Sequence, residues 1–158
     1  YLLADGSEGD YYYCDTQGAV MVIPILDDGR LVLVRQYRYL VDRHGIEFAC
    51  GGALEGEAPF ETAKREFLEE TGFKAGELMK IGHFEPANGY CKDKTSLYIG
   101  TELEQVGNPQ SSQVEILEVI YRRVDEFEEM VKAGEVWDGQ TLAAWAIARN
   151  YVKNIVTN

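Results

Sequence analysis

Residues 51–73 read GGALEGEAPFETAKREFLEETGF, and the fold turns on how this stretch is interpreted. Six glutamates, Glu55, Glu57, Glu61, Glu66, Glu69 and Glu70, fall within its 23 residues. Pro59 suits the first turn of a helix. Phe60, Ala63 and Phe67 recur at helical spacing, and Gly72 suits a C-terminal stop. A helix over Pro59–Thr71 is therefore expected, buried along Phe60/Ala63/Phe67. On it Glu66, Glu69 and Glu70 stand at i, i+3 and i+4 and share one face. Like charges at that spacing repel by about 0.2–0.5 kcal/mol per pair. Such a face is either left in water or used to bind a cation.

Upstream, Ala19 to Leu26 (AVMVIPIL) is an apolar, β-branched run of strand length. Pro24 assigns it to a sheet edge or a bulge. Asp27-Asp28-Gly29 signals a hairpin turn, with Leu31 to Leu40 (LVLVRQYRYL) as the return strand. Ile46 to Cys50 (IEFAC) reads as a third short strand leading into the glycines. Residues 1–18, with Tyr11, Tyr12 and Tyr13 in a row, read as an arm or edge strand. Downstream, Leu78 to Phe84 and Thr95 to Leu103 are expected strands joined by a loop from Glu85 to Lys94. A second loop covers Gly107 to Gln113, and Glu115 to Tyr121 is the last expected strand. Asp125 with Glu128 three residues on suggests a capping box for a helix ending near Gly134. A final helix runs from about Asp138 to Ile155, packed through Leu142, Trp145, Ala146 and Tyr151. With no repeat or linker in evidence, the 158 residues read as a single domain with helices on a mixed sheet.

The net charge of −12 argues against a nucleic-acid backbone as partner. No apolar run approaches the roughly 18–20 residues that span a bilayer. Neither a basic n-region nor an apolar h-region of a signal peptide is visible. Cys14, Cys50 and Cys91 are odd in number and lack a CxxC spacing. They point to a reducing, cytoplasmic compartment rather than a disulfide framework or a zinc site. His44 and His83 have no ligand spacing.

The order Gly51, Glu57, Arg65-Glu66, Phe67, Leu68, Glu69-Glu70, Thr71, Gly72, Phe73 resembles the Nudix box at every fixed position. The resemblance implies an α/β class fold, the Nudix α/β/α sandwich with a central mixed sheet and a catalytic loop-helix-loop at 51–73. Within that family, Val34-Arg35-Gln36-Tyr37-Arg38 with Glu47, and Gly134-Glu135-Val136-Trp137-Asp138 with Thr141-Leu142, resemble the pyrophosphatases of ADP-ribose and nucleoside diphosphate sugars. This chain departs from them at Phe48-Ala49-Cys50-Gly51, at Glu85-Pro86-Ala87-Asn88-Gly89 and at Ser111-Ser112-Gln113.

What the resemblance implies is metal-dependent hydrolysis of a nucleotide sugar to a nucleoside monophosphate and a sugar phosphate. ADP-ribose is the first candidate and a nucleotide hexose such as GDP-mannose the second. Mg²⁺, for which Mn²⁺ can substitute, is the expected cofactor, since a hard ion takes oxygen ligands. Glu66 and Glu70 are the expected principal ligands, joined by Glu69 and by a carbonyl of Cys50 or Gly51. Glu57 is expected to pair with Arg65 and hold the loop to the helix, with Glu61 and Glu69 also within reach of Arg65. Glu115 is the expected general base. Arg38 is the candidate phosphate contact, with Arg35 and Tyr37 beside it on the same strand. A homodimer paired through N-terminal strands is a further implication. The alternatives are a Nudix hydrolase of triphosphates or dinucleoside polyphosphates, and a non-catalytic nucleotide-binding module. The four retained box glutamates weigh against the latter.

Overall fold

A computed structural model describes residues 1–110 and 118–157. Its strands are β1 (Cys14–Asp15), β2 (Ala19–Pro24), β3 (Leu31–Arg38), β4 (Arg43–Glu47), β5 (Ala49–Gly52), β6 (Phe73–Phe84), β7 (Cys91–Lys92), β8 (Thr95–Gln105) and β9 (Glu118–Arg122). Its helices are α1 (Pro59–Thr71), α2 (Val124–Ala133) and α3 (Gly139–Val156), with a 3₁₀ turn at Tyr39–Val41. One sheet has the order β5-β2-β8-β6, parallel at β2/β8 and antiparallel elsewhere. A second, antiparallel sheet has the order β4-β3-β9, and β1 pairs with β7 apart from both.

β2 explains why its sequence does not alternate. Val20 and Val22 pack with Ala63 and Phe67 of α1. Met21 and Ile23 pack on the opposite side with Phe127 of α2 and with Ala144, Trp145 and Ala148 of α3. A strand covered on both faces is apolar throughout. The result is the expected sandwich, with α1 on one side and α2 and α3 on the other.

Several expectations need correction. β2 is an inner strand, not an edge. Pro24 is its last residue, beside Gly100, where the missing N–H disrupts little of the ladder. The turn at residues 26–30 closes as expected, with Leu26 N–H donating to the Arg30 carbonyl at 2.9 Å. After one bridge between Ile25 and Leu31 the two arms part into different sheets. β3 stops at Arg38, and Tyr39–Val41 turns away. The expected strand over residues 46–50 is split at Phe48: β4 pairs with β3, and β5 pairs with β2. β6 begins at Phe73, five residues earlier than expected, directly after the helix stop. The cap of α2 is Arg123, whose backbone N–H donates to Glu126 at 2.9 Å, so Asp125 and Glu128 are not its capping pair. In α3 the buried stripe is Thr141, Ala144, Trp145, Ala148 and Val152, while Ala146 and Tyr151 are exposed. The strand expected from Glu115 is described only from Glu118, and Ser111 to Leu117 lie outside the described residues.

α1 has the expected bounds. Gly72 closes it at φ 76°, donating to the Leu68 carbonyl at 2.8 Å. Only glycine adopts that conformation without strain. The stripe, however, is Thr62, Ala63, Phe67, Glu70 and Thr71. Phe60 is 45% exposed and meets Tyr98 edge-on at 6.4 Å. Phe67→Ala is therefore expected to cost about 3–5 kcal/mol, and Phe60→Ala less than about 1 kcal/mol. Urea denaturation of both variants measures the contrast, and equal costs would contradict this packing.

Candidate active site

The glutamates of α1 are organised by one guanidinium. Arg65 Nε and Nη2 donate to the two carboxylate oxygens of Glu57 at 3.0 and 2.8 Å. Nη2 also donates to the Gly52 carbonyl at 3.0 Å. Nη1 donates to Glu66 at 2.6 Å and to Glu69 at 3.3 Å. The expected Glu57–Arg65 pair is thus present and bidentate, the strong geometry for this pairing. Glu57 also accepts from the Leu54 N–H at 3.1 Å and the Thr62 hydroxyl at 2.9 Å. These contacts tie the loop preceding α1 to its second turn. Glu61 turns instead to Lys64 at 3.4 Å.

Arg65, the Leu54 amide and Thr62 all favour ionised Glu57, so its carboxyl titrates at about 2. Glu66 goes the other way. Burial raises its carboxyl above the usual range, although Arg65 opposes the shift. Glu70 is 9% exposed and accepts from the Cys50 N–H at 2.9 Å. The face that bears Glu66 and Glu70 is therefore not simply solvated. It lies against β5, whose last two residues are Gly51 and Gly52. A Cβ at Gly51 would collide with the Glu66 carboxyl, so the bare glycine lets that carboxylate lie directly against the backbone, and a larger residue would push it aside.

The ligand atoms on offer in this cluster are oxygens: three carboxylates of α1 and the backbone carbonyls at the end of β5. That chemistry fits a hard divalent cation. The side chains are turned onto Arg65 and the Cys50 amide, and among the described residues no three acids already converge on one point.

The second group of expected residues lies on β3 and β4. Arg38 donates through Nε to Glu47 at 2.9 Å and through Nη2 to the other oxygen of the same carboxylate. Glu47 is 1% exposed, and Gln36 contacts it at 3.4 Å. A Cβ at Gly45 would strike that carboxylate. Sequence reading assigned Glu47 only to a motif; the glycine two residues before it was the available sign of a crowded carboxylate. Tyr37 is half-exposed, hydrogen-bonded to Asp42 and edge-on to His44 at 5.5 Å. Arg35 pairs with Glu118 across β9 at 2.9 Å. Arg35 and Tyr37 thus face away from the Glu47 side of β3, and the structure does not bring them to the carboxylate cluster. Glu115 lies outside the described residues.

Sequence reasoning missed the lock behind β4 and β5. Arg43 stacks on Trp137 at 3.8 Å, and the Trp137 indole donates to the His44 carbonyl at 3.0 Å. The Phe48 N–H donates to Thr141 at 3.4 Å. The α2–α3 turn therefore holds the strand pair that carries Glu47 and Cys50. The described loop after β8 also reaches α1: Gln110 N–H donates to the Glu69 carbonyl at 2.7 Å.

Residues 15–145 match the NUDIX domain family. The chain is 31% identical over 128 residues to the ADP-ribose pyrophosphatase of Bacillus subtilis, covering 80% of this chain and 69% of that protein. It is 28% identical over 136 residues to the GDP-mannose pyrophosphatase of an Enterobacter species, covering 79% and 69%. A crystal structure of an ADP compounds hydrolase superposes with a TM-score of 0.76 at 24% identity, covering 87% of this chain and 74% of that one, and shares the fold. The chain belongs to the Nudix family, whose members generally use divalent metals.

Because the folded Glu57 carboxyl lies below its unfolded value near 4.5, its contribution to stability is complete above that pH. The contribution is lost as pH falls toward about 2. Glu57→Gln is expected to flatten the fall in the urea midpoint across that window. An unchanged slope would show that the pair with Arg65 does not form in solution.

Proposed function

We propose that this chain hydrolyses the pyrophosphate bond of a nucleoside diphosphate sugar, with ADP-ribose as first substrate and GDP-mannose as second. The observation that carries this is the Arg65-ordered carboxylate cluster pressed against Gly51. The substrate class rests on the named relatives. Water adds to one phosphorus and the bridging P–O bond breaks. A nucleoside monophosphate and a sugar phosphate leave.

Glu66 and Glu70 would hold Mg²⁺, or Mn²⁺ in its place, with Glu69 and a carbonyl of Cys50 or Gly51 completing the protein's share. When bound, the ion neutralises phosphate oxygens and acidifies water. The chain's own residues do the rest. Arg65 keeps Glu57, Glu66 and Glu69 in place before the ion arrives. Gly51 admits the Glu66 carboxyl next to the backbone. Glu47 fixes Arg38 through Nε and Nη2 and leaves Nη1 for a phosphate oxygen. Glu115 is the proposed base for the attacking water. Arg35 and Tyr37 serve, on this reading, the outer part of the substrate rather than its phosphates. The active form is proposed to be a cytoplasmic homodimer paired through N-terminal strands.

Turnover of ADP-ribose, GDP-mannose, UDP-glucose, a diadenosine polyphosphate and nucleoside triphosphates with Mg²⁺ tests the reading. A nucleotide sugar is expected to have the highest kcat/KM, with activity abolished by a chelator. Preference for triphosphates would move the chain to another hydrolase class, and no turnover of any would mark a binding module.

Glu70→Gln is expected to lower kcat more than about 100-fold with the fold intact by circular dichroism. Gly51→Ala, which displaces Glu66, is expected to weaken the metal requirement curve without unfolding the chain. Full activity of Glu70→Gln would remove Glu70 from the metal site.

A further inference from the structure

The short parallel pair of β1 and β7 sets Cys14 directly opposite Cys91. Direct partners on neighbouring strands project to the same face, and such strands lie about 4.7–4.9 Å apart. A disulfide joins Cα atoms about 4.4–6.8 Å apart. The register therefore brings two thiols of a three-cysteine chain within bonding reach. Both are free, Cys14 exposed and Cys91 partly buried. Burial, then Asp93, Cys14 and Asp15, pushes the Cys91 thiol up, so the two sulfurs sense one another. Cys50 is elsewhere, its Sγ 3.9 Å from Gln140.

We propose that Cys14 and Cys91 are a reversible intramolecular disulfide site that fastens the N-terminal arm to the 85–94 loop. The oxidant is a hydroperoxide. The exposed Cys14 reacts first, as thiolate. Its sulfur attacks the terminal peroxide oxygen, the S–O bond forms as the O–O bond breaks, and the leaving oxygen takes a proton and departs as water from hydrogen peroxide or as an alcohol from an organic hydroperoxide. Cys91 sulfur then attacks Cys14 sulfur. The S–S bond forms, the S–O bond breaks, and hydroxide leaves as water with the Cys91 proton. Two thiols are oxidised while one hydroperoxide is reduced, and a dithiol reverses the reaction by exchange.

The bond would matter because the contact it reinforces is slight. β1 and β7 are held by Cys14 N–H on the Tyr90 carbonyl at 2.9 Å and Thr16 N–H on the Lys92 carbonyl at 3.3 Å. Thr16–Asp93 at 2.7 Å and Lys92–Asp15 at 3.1 Å add only exposed side-chain contacts. A two-residue pair of this kind has little stability of its own. The same two segments wall a cavity of about 570 Å³ lined by Tyr11, Tyr13, Asn88 and Tyr90 among others. Oxidation would fix that wall.

The test is native protein treated with hydrogen peroxide, alkylated, digested and weighed, alongside Cys14→Ser and Cys91→Ser. The expected result is loss of both thiols in the same chain, a linked Cys14–Cys91 peptide, and recovery with dithiothreitol. Amide exchange at Cys14 and Thr16 is expected to slow about 10-fold or more on oxidation of the wild type, and not in either variant. Links between chains, or sulfinic acid at Cys14 with Cys91 still a thiol, would overturn the proposal.

Discussion

Arg65 is the side chain on which the rest of the site depends. Its guanidinium reaches Glu57 twice, Glu66, Glu69 and the Gly52 carbonyl. Lysine could not do this, because one point charge cannot face a loop carbonyl and three carboxylates in fixed directions. The contacts solve the repulsion that the sequence poses. They also fix the loop before α1 to the helix, and so position the close approach of Gly51 to Glu66. Glu57 is ionised well into acid because of the same contacts.

A second pair of opposite charges works differently. Glu47 is almost wholly buried, and Arg38 covers it from a partly exposed position. Removing Arg38 would leave a buried carboxylate without compensation, which is costly, whereas removing both partners together would cost less. On the proposed reading, function and stability are therefore mixed at Arg38 in a way they are not at Glu66. The stack of Arg43 on Trp137 and the bond from Phe48 N–H to Thr141 hold β4 and β5 from behind. α3 thus supports both Glu47 and the Cys50 amide that Glu70 grips.

The helix α1 and its glycine stop were legible because each depends on residues within one turn, whereas the pair Glu57–Arg65 came only from the resemblance to the Nudix box. Phe60 was not. Its spacing fits the stripe, but its ring stays half-exposed, meeting Tyr98 edge-on and lying under the Lys64 ammonium. The split at Phe48 was hidden for a similar reason. A five-residue stretch such as IEFAC gives no sign that its halves pair with different strands. Pro24 looked like an edge signal because propensity cannot show that it is a strand's last residue. Glu47 was named but its role was not, since its partner lies nine residues away on another strand. The opposition of Cys14 and Cys91 is the extreme case: 77 residues separate them, and nothing local records the register.

The balance of charge at the cluster bears on the order of events in the proposed reaction. Three box carboxylates, Glu57, Glu66 and Glu69, share one guanidinium, and Glu70 adds a fourth beside the Cys50 amide, in a chain that already carries −12. A pyrophosphate brings further negative charge, and its approach to this face without a cation is opposed by Coulomb repulsion. Arg65 cannot relieve that, because its donors are committed within the protein. On the proposed reading, substrate affinity at this site is therefore linked to the divalent ion, each raising the affinity of the other by the same factor. On the same reading Arg38 offers a phosphate the one nitrogen that Glu47 does not take. It can orient a phosphate already held there, while its charge is largely offset by its buried partner.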